Sequence, residues 1–266
     1  MSAGHGHQAR KRFGQHFLHD PRVIDRIINS FAPATDDLIV EIGPGHGALT
    51  RVLLSRSTTV YAVELDRDLI GALQAAFGGQ TGLTLFQADA LTFDFCGLAH
   101  DKGKLRVIGN LPYNISTPLL FHLLDQADCI ADMCFMLQKE VVDRLAAAPG
   151  GKDYGRLSVM VQWRCQVRKL FDVGHGAFKP PPKVDSSVVR LVPRPTPETA
   201  VNDPARFARI VRDAFAQRRK TLRNALKGML SEDEFRAAGI DPGRRAETLS
   251  VEEFLTLSNS VDHKIP

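Results

Sequence analysis

The sequence predicts an α/β fold: a mostly parallel sheet with helices on both faces, joined to a small all-helical C-terminal domain. Three observations carry this. Apolar strand-length runs alternate with helical patterns from about residue 37 to 192, the mark of βαβ units. A glycine-rich loop, Gly43-Pro44-Gly45-His46-Gly47, stands between the first of these strands and the helix after it. Past Pro193-Arg194-Pro195-Thr196-Pro197, a stiff linker by composition, strand signals stop.

Taken in order, Pro21 to Phe31 reads as a helix with proline at its start, where the missing N–H costs nothing. Leu38 to Ile42 is a first strand, Thr59 to Val63 a second and Leu83 to Phe86 a third. The run Leu105 to Gly109 leads as a fourth strand into Asn110, and Ile130 to Leu137 is a fifth. Helical patterns fill about 47–55, 66–77, 115–125 and 138–147. Two further strands, around 166–173 and 184–192, have no helix between them, so an antiparallel edge pair is expected. Residues 204–260 read as several helices. The division predicted is 1–195 for the α/β domain and 196–266 for the helical one.

Charged residues make up 24% and hydrophobic ones 44% of the 266, an ordinary globular balance with chain enough for a sizeable core. The net charge of +4 permits a nucleic-acid partner without demanding one. Cys96, Cys129, Cys134 and Cys165 show no CxxC pairing or metal-ligand spacing. Reduced thiols in a cytoplasmic protein, and no metal site, are therefore expected. No apolar run is long enough to span a membrane, and no hydrophobic segment like that of a secretory signal follows Arg10-Lys11-Arg12.

The chemistry concentrates at the strand ends, where open α/β sheets bind ligands. Glycines in the Gly43 loop allow positive φ and close approach of backbone N–H groups to a ligand. Glu64 ends the second strand about twenty residues further on, where a carboxylate holds ribose hydroxyls. Asp89 follows the third strand, in place to meet an adenine amino group. The Gly-x-Gly-x-Gly spacing after an acidic residue favours S-adenosylmethionine over a dinucleotide. At the fourth strand end stands Asn110-Leu111-Pro112-Tyr113. An Asn side-chain oxygen, a carbonyl on a proline and an aromatic face suit a planar base with an exocyclic NH2. An ordinary turn after a strand would also account for those four residues alone.

Taken together, the sequence resembles the bacterial small-subunit (16S) ribosomal RNA adenine N6,N6-dimethyltransferases, the enzymes whose loss confers kasugamycin resistance. The resemblance runs from about Phe13 to Ser250. It is carried by Phe13-Gly14-Gln15-His16-Phe17-Leu18, the Gly43 loop, Val63-Glu64-Leu65-Asp66 and Asn110 to Ser116. Further matches are Gln138-Lys139-Glu140-Val141, Tyr154-Gly155-Arg156-Leu157-Ser158 and Phe178 to Ser186. Arg218 to Asn224 and Arg245 to Ser250 separate it from the related large-subunit rRNA enzymes. The resemblance implies a Rossmann-like AdoMet-dependent methyltransferase domain and a C-terminal RNA-recognition domain. It implies cofactor contacts at His16, Leu18, Gly43, Gly45, Glu64, Asp89, Ala90 and Asn110, with Gln15 nearby. Many relatives carry Asn where this chain has His16.

For catalysis the resemblance points to Asn110, Pro112 and Tyr113. If the Asn110 oxygen and the Pro112 carbonyl each accept an N6–H, the amine is held toward tetrahedral geometry with its lone pair free to attack. Tyr113 and Phe178 are expected to stack on the two faces of the adenine, which must leave its RNA stack to enter. The reaction expected is dimethylation of two adjacent adenines in the 3′-terminal hairpin of 16S rRNA, in the small subunit or its precursor, by a monomer. Residues 206–227 hold eight basic residues and one acid. Read as one helix, they set Arg212, Arg219 and Arg223 on one stripe, suited to RNA phosphates or to simple solvation. An assembly factor with incidental methylation, a large-subunit rRNA enzyme and a DNA adenine methyltransferase are the other readings.

Overall fold

A computed structural model describes residues 16–57, 59–99, 103–195, 200–217 and 219–260. The chain begins there with a short strand β1 (Phe17–Leu18), helix α1 (Pro21–Phe31), β2 (Leu38–Ile42), α2 (Ala48–Leu54), β3 (Thr59–Glu64), α3 (Arg67–Phe77) and β4 (Leu83–Gln87). It continues with α4 (Cys96–Ala99), β5 (Leu105–Asn110), α5 (Ser116–Asp125), β6 (Ile130–Gln138) and α6 (Lys139–Leu145). Then come α7 (Arg156–Arg164), β7 (Cys165–Val173), β8 (Phe178–Lys179) and β9 (Ser186–Pro193). Helices α8 (Pro204–Ala216), α9 (Leu222–Ala225), α10 (Glu232–Ala237) and α11 (Val251–Asn259) complete it.

Seven strands form one sheet in the order β4-β3-β2-β5-β6-β9-β7. The five from β4 to β6 are parallel, β9 pairs antiparallel with β6, and β9 and β7 stand side by side at the edge, where the edge pair was expected. All five residues of β2 are buried, as a central parallel strand covered on both faces requires. Asp20 caps α1 by accepting the N–H groups of Arg22 and Val23, and Asp66 does the same for α3 through Asp68. Side chains of α1, α2 and the sheet, among them Ile28, Phe31, Leu53 and Ile39, form the apolar core beneath.

The chain divides into two compact units, and the division is not the one expected at residue 195. Asp143–Val167 groups with the chain from Arg194 onward, while Arg168–Pro193 groups with the chain up to Val142. The reason is α7, which the sequence reading did not predict. Its Val159 and Trp163 join Phe207, Val211, Phe254 and Leu257 in one apolar core, and Arg194 bonds back to α7 through the carbonyls of Arg164 and Gln162.

The cysteines also depart from expectation. Cys96 and Cys129 form a disulfide, while Cys134 and Cys165 are free and buried. Loop closure between residues 33 apart carries no sequence signature. Burial pushes both free thiols up to about 12, so they are inert at neutral pH.

Candidate active site

The strand ends assemble one cleft of about 160 Å³, lined by residues from β1, the Gly43 loop and the ends of β3, β4 and β5. That is some ten times the space one water needs. His16, Gly43, Gly45, Glu64, Asp89, Asn110, Pro112 and Tyr113, all predicted, line it together. Leu18 does not. It is buried and borders a small adjoining cavity behind the glycine loop. Ala90 is buried and lines neither space, and Gln15 lies outside the described residues.

The loop's glycines are required by its shape. Gly45 has φ +59, and a Cβ there would come within 3.0 Å of the Phe17 ring. At Gly47, φ is +79 and a Cβ would meet Phe77 at 2.4 Å. Neither backbone state suits a side chain. Glu64 fastens the loop: its carboxylate accepts the Gly45 N–H at 3.4 Å and the Asp66 N–H at 2.9 Å. Burial raises its pKa against the lowering by those N–H donors.

Behind the loop Glu41 is fully buried, accepting the Thr50 hydroxyl at 2.6 Å. Burial raises its carboxyl to about 7, against the lowering by that bond and with Glu64 adding to it. The folded state therefore holds this proton more tightly than the unfolded chain, whose value is near 4.5. Stability should fall as pH rises through that window and stay reduced above it. Glu41→Gln is expected to flatten the fall, read by urea unfolding at about pH 5 and pH 8. An unchanged fall would locate the pH dependence elsewhere.

Asn110 is oriented by the N-terminal strand. Its Nδ2 donates to the His16 carbonyl at 2.8 Å. A carbonyl can only accept, so the amide is assigned with its oxygen left over for another donor. The His16 ring in turn bonds through Nδ1 to the Pro180 carbonyl at 2.9 Å and lies 5.6 Å from the Tyr113 ring. The Pro112 carbonyl, expected to accept an N6–H, already accepts the Ile115 N–H at 3.2 Å, because the chain turns there into α5. A second lone pair remains. The Tyr113 hydroxyl bonds Ser186 Oγ at 2.7 Å, and burial raises its pKa.

Phe178, expected to stack on the base, does not line the cleft. Its ring is 2% exposed and packs with Leu18, Ile27, Phe31 and Val188 in the core, not on the cleft wall. The reason is β8, which pairs antiparallel with β1 and turns the ring inward. Residues missed by sequence reasoning are Leu65, Leu69, Leu91 and Ile115, which give the cleft its apolar walls. Leu65, 49% exposed, follows directly on Glu64. A large apolar residue on the open side of a strand-end acid is the signal that could have marked it.

The basic stripe is not continuous. Helix α8 ends at Ala216, so Arg219 stands in the turn region and Arg223 on α9. Arg212 pairs with Asp213, and Arg223 makes two bonds to Glu232, at 2.6 and 3.2 Å. Arg219 is exposed and has no acid partner among the described residues. No cluster of metal-ligating side chains occurs among the described residues, and no helix among them is long and apolar enough to cross a membrane.

With this geometry in view, the family model for ribosomal RNA adenine dimethylase matches residues 6–263. The Ribosomal RNA small subunit methyltransferase A of Nitrosococcus oceani is 59% identical over 254 residues, 95% of this chain and 96% of its own length. The protein of that name from Pseudomonas aeruginosa is 55% identical, covering 98% and 97%. Among solved structures, a dimethyladenosine transferase from Plasmodium falciparum superposes with a TM-score of 0.79 at 27% identity, over 91% of this chain and 96% of that one. The 23S rRNA methyltransferase ErmE reaches 0.72 at 27% identity, over 93% and 100%.

Proposed function

We propose, because this chain belongs to the ribosomal RNA adenine dimethylase family, that the cleft transfers two methyl groups to N6 of adenine in small-subunit (16S) rRNA. The chain is an S-adenosylmethionine-dependent RNA methyltransferase. When bound, S-adenosylmethionine supplies an electrophilic sulfonium methyl. The residues present fit it. Glu64 offers a carboxylate anchored at the cleft wall, and Asp89 keeps one carboxylate oxygen beyond that bonded to Leu91 N–H. Leu65, Leu69 and Leu91 supply apolar surface for a planar ring.

The observation that carries the reading is the fixed Asn110 amide. With its NH2 held by the His16 carbonyl, its oxygen is available to one N6–H of the target adenine, and the Pro112 carbonyl to the other. The amine nitrogen, conjugated with the ring and a poor nucleophile, is thereby held toward tetrahedral geometry. Its lone pair is then directed at the methyl, an effect of positioning and fixed dipoles. Tyr113, steadied by Ser186, offers a stacking face worth about 1–3 kcal/mol. Transfer would break the sulfur–methyl bond to leave the neutral thioether, and the strongly acidic aminium would lose one proton to solvent; the N–H that remains can serve one of the two acceptors in the second transfer. The adjacent adenines of the 3′-terminal hairpin, action on the subunit or its precursor, a monomeric state and a cytoplasmic location extend the same reading from the sequence resemblance.

The direct test is to map dimethyladenosine in small-subunit rRNA from cells with and without this protein. Unchanged modification would end the assignment. For the cofactor, Glu64→Ala is expected to weaken S-adenosylmethionine by about 1–3 kcal/mol in calorimetry, and Glu64→Gln, which keeps one acceptor, by less. Equal affinity in all three proteins would take Glu64 out of the site.

A further inference from the structure

Cys96 and Cys129 are joined by a disulfide that the methyl-transfer chemistry leaves unused. In the cytoplasm, the location proposed for this chain, thiols are kept reduced, and the disulfides that do form are mainly transient and redox-sensing. Both bonded cysteines are partly exposed, whereas the free pair, Cys134 and Cys165, is buried. A small reductant can therefore reach the bond while the free thiols stay shielded.

The bond joins the chain leaving one wall of the cleft to the chain leaving another. Cys96 opens α4, just past Asp89 and Leu91, which line the cleft. Cys129 follows α5, and α5 follows the lining residues Asn110 to Ile115. Gln126, at the end of α5, holds the same two segments together without the bond. Its Oε1 accepts the Phe95 and Cys96 N–H groups at 2.8 and 3.1 Å, and its Nε2 donates to the Phe93 carbonyl at 3.1 Å. The rings of Phe93, Phe95 and His122 continue the contact, with successive centroids 5.1 and 6.0 Å apart. The Gln126 main-chain carbonyl lies 3.6 Å from Cys96 Sγ and 3.1 Å from Cys129 Sγ. Each sulfur, once it carries a proton, has that oxygen to donate to.

Reduction thus leaves two thiols side by side, placed to close again. What it removes is the covalent limit on the movement of Phe93 to Ala99. The turn before that segment is internally braced: Asp89 Oδ1 accepts the Leu91 N–H at 2.9 Å, and the Asp89 carbonyl the Thr92 N–H at 3.1 Å. It therefore moves with the segment that follows it.

We propose that Cys96 and Cys129 form a reversible redox site, opened by a small dithiol and closed by a low-molecular-weight disulfide, whose closed form holds the Asp89 wall for the cofactor. The proposal rests on the reading of the cleft as the S-adenosylmethionine site. In opening, a thiolate of the dithiol attacks one cysteine sulfur, the bond between the cysteines breaks, and the departing sulfur takes a proton. The second thiol of the reagent then displaces the first cysteine, so the reagent leaves as a cyclic disulfide and the protein gains two electrons and two protons. Oxidised glutathione runs the exchange in reverse and leaves as two thiols.

The test uses the full chain treated with dithiothreitol or with oxidised glutathione, freed of reagent, and titrated with S-adenosylmethionine in a calorimeter. The oxidised form is expected to bind about three- to ten-fold more tightly, the scale of ordering one or two further groups on binding. Alkylation and peptide mass spectrometry should find Cys96 and Cys129 labelled only after reduction, and Cys134 and Cys165 in neither state. Cys96→Ser and Cys129→Ser should each bind as the reduced parent does and ignore both reagents. Equal affinity in the two redox states of the parent would make the bond purely structural and overturn the proposal. Thiols that stay open in oxidised glutathione would overturn it as well, and so would a serine variant whose affinity still responds. If neither form binds the cofactor, the reading of the cleft fails by itself. Hydrogen exchange of amides 88–99 then decides the redox site alone: faster exchange in the reduced form supports it, and equal exchange overturns it.

Discussion

Phe178→Ala is expected to cost about 3–5 kcal/mol of folding stability, the usual loss when a buried aromatic ring is deleted from a packed core. The ring is 2% exposed among Leu18, Ile27, Phe31 and Val188. It also anchors β8, whose pairing sets Leu18 against Phe178 and Phe17 against Lys179. Loss of the ring should therefore loosen the N-terminal strand and release the His16 carbonyl from Asn110. Urea unfolding of the parent and variant measures the first effect. Phe178→Leu keeps most of the volume, should cost less than about 1.5 kcal/mol, and should bind unmethylated subunits as the parent does. A Leu variant as stable as the parent but much weaker toward those subunits would support the base-stacking role that the sequence suggested.

The burial of Phe178 shows where the sequence was readable. Glu64 and Asn110 each end a parallel strand, Asp89 follows one two residues on, and a parallel sheet gathers its strand ends on one edge. Phe178 instead belongs to a strand of two residues beside three prolines, too short for any periodicity. Its inward direction comes from pairing with residues about 160 positions away. Helix α7 escaped notice because Ser158, Val159, Val161 and Trp163 bury it on several sides, which blurs an amphipathic stripe. The helix predicted through residues 206–227 breaks after Ala216 with no glycine or proline between Gln217 and Thr221 to mark the end. Burial of Leu222 and Leu226 and the bonding of Leu222 N–H to the Arg244 carbonyl decide that break. Tertiary contacts of this kind override local propensity.

Asn110→Ala should reduce methyl transfer by about 10²–10³-fold, the scale for removing one preorganised polar group aimed at the reacting centre. Two losses combine. The amide oxygen proposed to accept an N6–H disappears, so the adenine amine would keep its conjugated, planar state. The Nδ2 donor also disappears, leaving the His16 carbonyl without the 2.8 Å bond that ties the N-terminal strand to the end of β5. Asn110→Asp separates the two. It keeps an acceptor for the amine but sets an oxygen against the His16 carbonyl, so its rate is expected to lie between those of the parent and the Ala variant. Binding to unmethylated subunits should persist in both, because the basic residues of the second unit are untouched. Single-turnover transfer of labelled methyl groups, run beside a particle-binding assay, reads chemistry apart from recognition. Near-parental transfer by the Ala variant would remove Asn110 from the mechanism and leave Asn110-Leu111-Pro112-Tyr113 as a turn that closes a strand and opens α5.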